Sequence, residues 1–258
     1  MQTVNDVAKK LDQIAPVKFA ESYDNVGLLL GDETAYVTKA LVCHDVTLDV
    51  VEEAQKMGAN LIVTYHPLIF NPVKKLTYRS NRAAYECMKH NINVIAAHTN
   101  FDVCDGGIND VMCAVLGLTE VHPLKMIPGE RVGYGRIGKL PEFMSPIDFA
   151  EMVKLGFNAK GMRYVPGGRK IKTVALVGGS GGSFMDDVLE VRADAFVTGD
   201  IKHSVFMRAC AEKITLIDAG HYATEAPGVM MLCERLSRNF DDLAFKLADA
   251  SVEKVRYM

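Results

Sequence analysis

The 258-residue chain has no long hydrophobic run; its longest unbroken apolar stretch is six residues, Val111 to Leu116. A membrane-spanning helix needs roughly 20 such residues, so none is expected. The opening MQTVNDVAKKLDQIAP also lacks an apolar core of signal-peptide length, and no secretory leader is expected. Charge of one sign is missing as well. Twenty-nine basic against 32 acidic residues leave a net charge of −3, which offers no overall polycation to nucleic acid. The six cysteines, at 43, 87, 104, 113, 210 and 233, include no CxxC pair. A chain of this length needs no disulfide staples, so they read as reduced, mostly buried thiols of a cytoplasmic protein. Neither a tandem repeat nor a low-complexity tract is visible. What remains is ordinary globular composition, 49% apolar and 24% charged, which argues against disorder.

Strand-like and helix-like signals alternate along the chain. Thr3 and Asp6 form a capping-box pattern before Val4, Val7, Ala8, Leu11 and Ile14, which recur at helical spacing. Ala40–Cys43, Leu61–Thr64 and Asn93–Ala97 read as strands. A helix from Thr47 to Met57 stops at Gly58, and a second begins at Ser80. The stretch 121–145, rich in proline and glycine, reads as a junction with one strand over Gly133–Leu140. A capped helix follows it, with Ser145, Pro146 and Asp148 at its start. Further strands are expected at 173–177, 195–198, 215–217 and 243–247, and helices near 184–191, 203–212 and 224–238. This order predicts an α/β protein of two lobes, with mainly parallel sheets flanked by helices. The lobes are set at residues 1–122 and 123–258, with the C-terminal segment able to pack back on the first.

The polar residues fall at informative places. In parallel sheets, the loops leaving the carboxyl ends of strands gather functional groups. Those ends carry His44 with Asp45, His66, His98 with Asp102, Asp200 with His203, Asp218, and His221 with Glu225. Five of the seven histidines therefore sit at predicted strand ends among carboxylates, which points to a metal site. Imidazole and carboxylate without thiolate suit zinc, manganese, iron or cobalt better than calcium. In His221…Glu225 the donors stand four residues apart and reach one centre if a helix starts there, and the same spacing recurs in His98…Asp102 as the chain leaves a strand. Gly178-Gly-Ser-Gly-Gly182 follows a predicted strand, where the backbone at Gly179, Ser180 and Gly181 could contact an anion or could simply turn the chain. Residues 152–185 hold six basic side chains and no acid, readable as a rim for phosphorylated ligands or as solvated surface.

Five phrases together are specific: ESYDNVGLLLGD (21–32), LIVTYHPLIF (61–70), AAHTNFDV (96–103), VTGDIKH (197–203) and DAGHYATE (218–225). In this order the chain resembles the Nif-three-like family, whose members are often labelled GTP cyclohydrolase 1 type 2 homologs. The resemblance implies a dinuclear divalent-metal site in the cleft between two lobes and assembly as a homohexamer. It carries the ligand roles to His66, Asp102, His221 and Glu225, with His98 beside them. One departure stands out. Tyr65 occupies the place of the first of two adjacent histidines, and a phenol binds a cation well only when deprotonated. One or two ions per chain are therefore expected.

The resulting expectation is a metal-dependent hydrolase acting on a nucleotide or related phosphorylated small molecule, with His98 or His203 carrying protons. The alternative is a non-enzymatic metal-binding scaffold or regulatory protein. Neither reading calls for nucleic acid or a membrane as partner.

Overall fold

The computed structural model describes residues Met1–Met258. Its first helix, α1 (Val4–Ile14), starts at the expected capping box, where the Thr3 hydroxyl accepts from the Asp6 amide at 3.2 Å. The Asp6 carboxylate accepts from the Thr3 amide at 2.9 Å in return. There follow β1 (Gly27–Leu30), β2 (Ala40–Cys43), α2 (Leu48–Met57), β3 (Leu61–Thr64), α3 (Arg82–Lys89) and β4 (Asn93–Ala96). Helix α2 ends on Gly58, whose φ of +68° is the left-handed conformation that a residue without Cβ adopts at no steric cost. The cap of α3 is Asn81 rather than Ser80, because Ser80 is held in a turn by Thr77.

These strands form a five-stranded sheet of order β1-β4-β3-β2-β11, where β11 is Phe245–Leu247. β2, β3, β4 and β11 are parallel and β1 runs antiparallel on the edge. Every residue of β2, β3 and β4 is buried, as expected of strands covered on both faces. One cluster of their side chains, including Leu41, Val50, Ile62, Cys87 and Val94, makes a core with α2 and α3.

The second sheet has six strands in the order β5-β6-β8-β9-β10-β7. They are β5 (Thr119–Met126), β6 (Gly133–Met144), β7 (Arg163–Val165), β8 (Ile171–Leu176), β9 (Ala195–Thr198) and β10 (Thr215–Asp218). Its helices are α5 (Ile108–Val115), α6 (Pro146–Gly156), α7 (Met185–Glu190) and α8 (His203–Glu212). The short α4 (Thr99–Val103) precedes them, and α9 (His221–Asn239) follows β10. Only β8, β9 and β10 are mutually parallel, so this sheet is mixed where a mainly parallel one is expected. The cause is the proline- and glycine-rich stretch, which forms a long antiparallel hairpin of β5 and β6 instead of a junction with one strand. Pro123 is tolerated because β5 lies on the sheet edge, where an amide hydrogen can be spared.

By contacts the chain divides into two units, Met1–Cys104 with Val229–Val252 and Asp105–Gly228 with Glu253–Met258. Residues 105–122, read from sequence as part of the first lobe, go with the second because α5 packs on β6 and β8 and β5 pairs only with β6. The strand near 243–247 belongs to the first unit, since β11 pairs with β2. No helix is long and apolar enough to cross a membrane.

Candidate metal centre

In the first unit the register places three histidines at one sheet edge. Cys43 of β2 pairs with Thr64 of β3, and Thr64 pairs with Ala96 of β4, so His44, His66 and His98 leave neighbouring strand ends. Asp45 accepts from His44 Nδ1 at 2.6 Å and from His66 Nδ1 at 2.8 Å. Ligand atoms of His44, Asp45 and His66 all lie within 4.8 Å of one another. The His66 ring centroid is 4.4 Å from that of His44 and 5.2 Å from that of His98. His98 in turn directs Nδ1 to Asp24 at 3.0 Å. An ionised carboxylate only accepts, so each of these Nδ1 atoms carries the hydrogen and each lone pair is on Nε2. Such a carboxylate partner is the arrangement in which metal-ligating histidines are found.

The electrostatics follow. Burial raises the carboxyl of Asp45, but the hydrogen bonds of His44 and His66 outweigh it and hold the group well below the usual carboxylate range. Burial acts the same way on Asp24, where bonds from His98 and Thr99 prevail and bring the group down to about 2. Tyr65, at the position of the expected extra histidine, is buried and donates its hydroxyl hydrogen to Asp102 Oδ1 at 2.5 Å. The phenol thus engages the carboxylate of an expected ligand, in place of the nitrogen lone pair an imidazole would offer.

In the second unit His221 is the first residue of α9, earlier than the expected start near residue 224. The earlier start puts Glu225 one turn on and Pro227 inside the helix. His221 Nε2 lies 3.2 Å from Glu225 Oε1, and its Nδ1 lies 2.7 Å from Asp200 Oδ2. Burial lowers the basicity of this imidazole, but Glu225 and Asp200 more than reverse that and raise its pKa to about 9. Two acids around one ring make a place suited to positive charge, for which a proton and a metal ion compete. Asp200 holds a φ of +54°, a conformation that costs free energy away from glycine and that often marks functional sites.

The glycine turn turns out to build this group. A Cβ on Gly179, whose φ is +61°, would sit 2.1 Å from Glu225 Oε1, and one on Gly199 would sit 2.7 Å from the His221 amide. The amides of Gly179 and Gly181 are already used, donating to Thr224 Oγ1 at 3.0 Å and to Thr198 Oγ1 at 2.8 Å. The anion contact expected at Gly179, Ser180 and Gly181 therefore loses two of its three donors.

The four expected ligands divide evenly: His66 and Asp102 lie in the first unit, His221 and Glu225 in the second. His203 is exposed at the first residue of α8, and its side chain hydrogen-bonds to none of the His221 group. In the basic segment, Arg163 ion-pairs with Asp218 and Arg169 with Asp194 at 3.0 Å, so it is no unbroken positive rim. In the sequence Asp45 and Asp200 stand at strand ends with no evident role, and Asp24 lies inside the phrase ESYDNVGLLLGD. One signal was available: both Asp45–His66 and Asp200–His221 are 21 residues apart and leave adjacent parallel strands.

Imidazole and carboxylate donors, with histidine orientation fixed by outer carboxylates, fit a divalent transition metal or zinc. Thiolate ligation is not indicated, since no cysteine stands among the histidines and carboxylates that lie close enough together to share an ion.

The profile of the Duf34/NIF3 family (NGG1p interacting factor 3) matches residues 2–254. A Clostridium perfringens protein named GTP cyclohydrolase 1 type 2 homolog is 33% identical over 242 residues, covering 92% of each chain. The crystal structure of a Staphylococcus aureus hypothetical protein is similar at 30% identity and a TM-score of 0.91, covering 99% of each chain. A Bacillus cereus protein related to NIF3 superposes with a TM-score of 0.92 over 100% of this chain and 99% of its own; at 23% identity it speaks for the fold alone. With nearly its whole length matched, the chain belongs to the Duf34/NIF3 family.

Proposed function

We propose that the chain binds one or two divalent cations and hydrolyses a nucleotide or related phosphorylated small molecule. The observation that carries this reading is the tying of His66, His98 and His221 through Nδ1 to Asp45, Asp24 and Asp200. His66 with Asp102, and His221 with Glu225, would hold the ions. When bound, such an ion supplies a water acidified from 15.7 toward about 7, a nucleophile at neutral pH. The chain's own part is to orient and to carry protons. Asp24 fixes the His98 ring, so Nε2 is the atom at which that imidazole takes up and passes on a proton. His203, exposed and outside these bonds, would act only through intervening water.

The reading includes a cytoplasmic setting and self-association as a homohexamer, which sedimentation equilibrium checks. Its main test is elemental analysis of protein purified without chelators or a metal-affinity tag, with turnover assayed on a panel of nucleotides and phosphoesters. Bound metal and turnover that disappears in Asp102→Ala and Glu225→Ala are the expected results. Absence of metal from the purified protein would overturn the reading. The bond from Tyr65 to Asp102 favours a second reading, a metal-binding scaffold or regulatory protein, because it engages a carboxylate that two-metal chemistry would use. Metal without turnover on the whole panel would establish that alternative instead.

A further inference from the structure

Outside the bonds described above, the first unit presents a pair of large aromatic side chains to solvent. Tyr23 is 65% exposed and Phe70 is 42% exposed. Their ring centroids are 6.4 Å apart at an interplanar angle of 49°. Single exposed aromatic residues are common and need no explanation. This pair differs in what it adjoins. The Phe70 centroid is 6.5 Å from that of His98, and His98 is 5.2 Å from His66, so four rings run in a row from solvent to the proposed ligand.

The chain beside each aromatic residue is also held by polar bonds. Asp24, adjacent to Tyr23, accepts from the His98 ring and from the Thr99 amide at 3.1 Å. Asn25 donates its side-chain amide to the carbonyl of Ile69, adjacent to Phe70, at 2.5 Å. The two loops are thereby bonded to each other and to the His98 loop. Holding exposed apolar rings in fixed positions does nothing to bury them, but it is what an aromatic binding surface requires. The loop that carries Phe70 adds charge of the right sign. Residues 67–81 contain Lys74, Lys75 and Arg79, all exposed, and no acid.

We infer that Tyr23 and Phe70 form the stacking platform for a planar heteroaromatic ring, the base of a mononucleotide or a similar phosphorylated heterocycle. The inference rests on the proposed action on a phosphorylated small molecule and names the ring as the part recognised here. Aromatic faces attract any planar π-system with little dependence on its hydrogen-bonding pattern. A purine therefore binds better than a pyrimidine, and either better than a sugar phosphate without a base.

The test is isothermal titration calorimetry on the full chain with guanosine monophosphate, cytidine monophosphate and ribose 5-phosphate. The wild type is expected to bind guanosine monophosphate at least about tenfold more tightly than ribose 5-phosphate. Combining Tyr23→Ala with Phe70→Ala should abolish that preference while leaving affinity for ribose 5-phosphate and metal content unchanged. Should the double variant fold poorly, Tyr23→Ala and Phe70→Leu alone are each expected to lower the preference several-fold, and Tyr23→Phe to retain it. Equal affinities for the three probes in the wild type, or a preference that survives in the double variant, overturn the inference. So does a double variant that changes oligomeric mass with no change in affinity, since the rings would then be a subunit contact. The two readings fail separately. Turnover of a phosphoester without ring preference sinks the platform alone; a ring preference lost in the double variant, with no metal in the wild type, sinks the hydrolase alone.

Discussion

The two units reach similar histidine–aspartate pairs by different means. In the first, one carboxylate, Asp45, serves two imidazoles, and a row of rings surrounds them. In the second, one imidazole, His221, stands between two carboxylates, with glycine 179 making room for one of them. The shared device is an aspartate after one parallel strand and a histidine after the next, 21 residues later in both cases. The difference lies in what would fail. The first group depends on an acid that orients, and the second on backbone that has no side chain.

The largest effect is expected from the second unit. Gly179→Ala asks a non-glycine residue to adopt a φ of +61° and drives a Cβ to 2.1 Å from Glu225 Oε1. Strain and overpacking together cost on the order of 3 kcal/mol in urea unfolding, and the displaced carboxylate should weaken metal binding as well. Unchanged stability and unchanged metal affinity would show that the glycine is only a turn and would erase the contrast.

Asp45→Asn and Asp200→Asn compare the two orienting acids directly. Loss of such a partner lowers metal affinity by about 10- to 100-fold. Asp45 holds two rings, so its variant should lie near the upper figure. His221 keeps Glu225 when Asp200 is neutralised, so that variant should lie near the lower one. Competition titration with a chromogenic chelator measures both, and equal losses would mean that the shared acid confers no extra order.

Tyr65→His tests the first unit by addition. With the Tyr65 hydroxyl bonded to Asp102, one cation position is expected to be tight and a second substoichiometric. An imidazole at 65 supplies a neutral donor, and metal content should rise toward two ions per chain. Full two-metal occupancy in both proteins would contradict this.

Much of the fold could be read from local pattern, and the reasons are visible at particular residues. Helix α1 rests on Thr3 and Asp6, α2 on Thr47 and Gly58, and the inner strands on short apolar runs. The edge strands β5 and β7 escaped notice because they are mostly exposed and carry no apolar run, and β5 contains a proline; β1 was passed over although Leu28, Leu29 and Leu30 form a short apolar run. The site divides in the same way. Histidines at strand ends are a local signal, and His66 and His221 stand out in the sequence. Asp24 bonds to a histidine 74 residues away, and the fit of Gly179 to Glu225 depends on a turn meeting a helix. Spacing carries no trace of such contacts.

Asp24 also supplies the smallest and most discriminating test of the first unit. Its carboxyl is brought from 3.8 to about 2 by His98 and Thr99, which overcome the opposing effect of burial. A lowered folded-state value contributes stability that is complete above the unfolded value and disappears as pH falls through the folded one. A shift of this size bounds the contribution at about 2 kcal/mol. Asparagine keeps an oxygen that accepts from Thr99, so Asp24→Asn should lose about 1 kcal/mol near pH 6. Because the wild-type acid protonates on the way down, the gap between the two proteins should narrow from pH 4 and close near pH 2. Urea titrations in the presence of a chelator separate this from metal release. A gap that stays constant with pH would mean that Asp24 acts through shape alone, and that His98 is oriented by a neutral contact while His66 and His221 are oriented by charge.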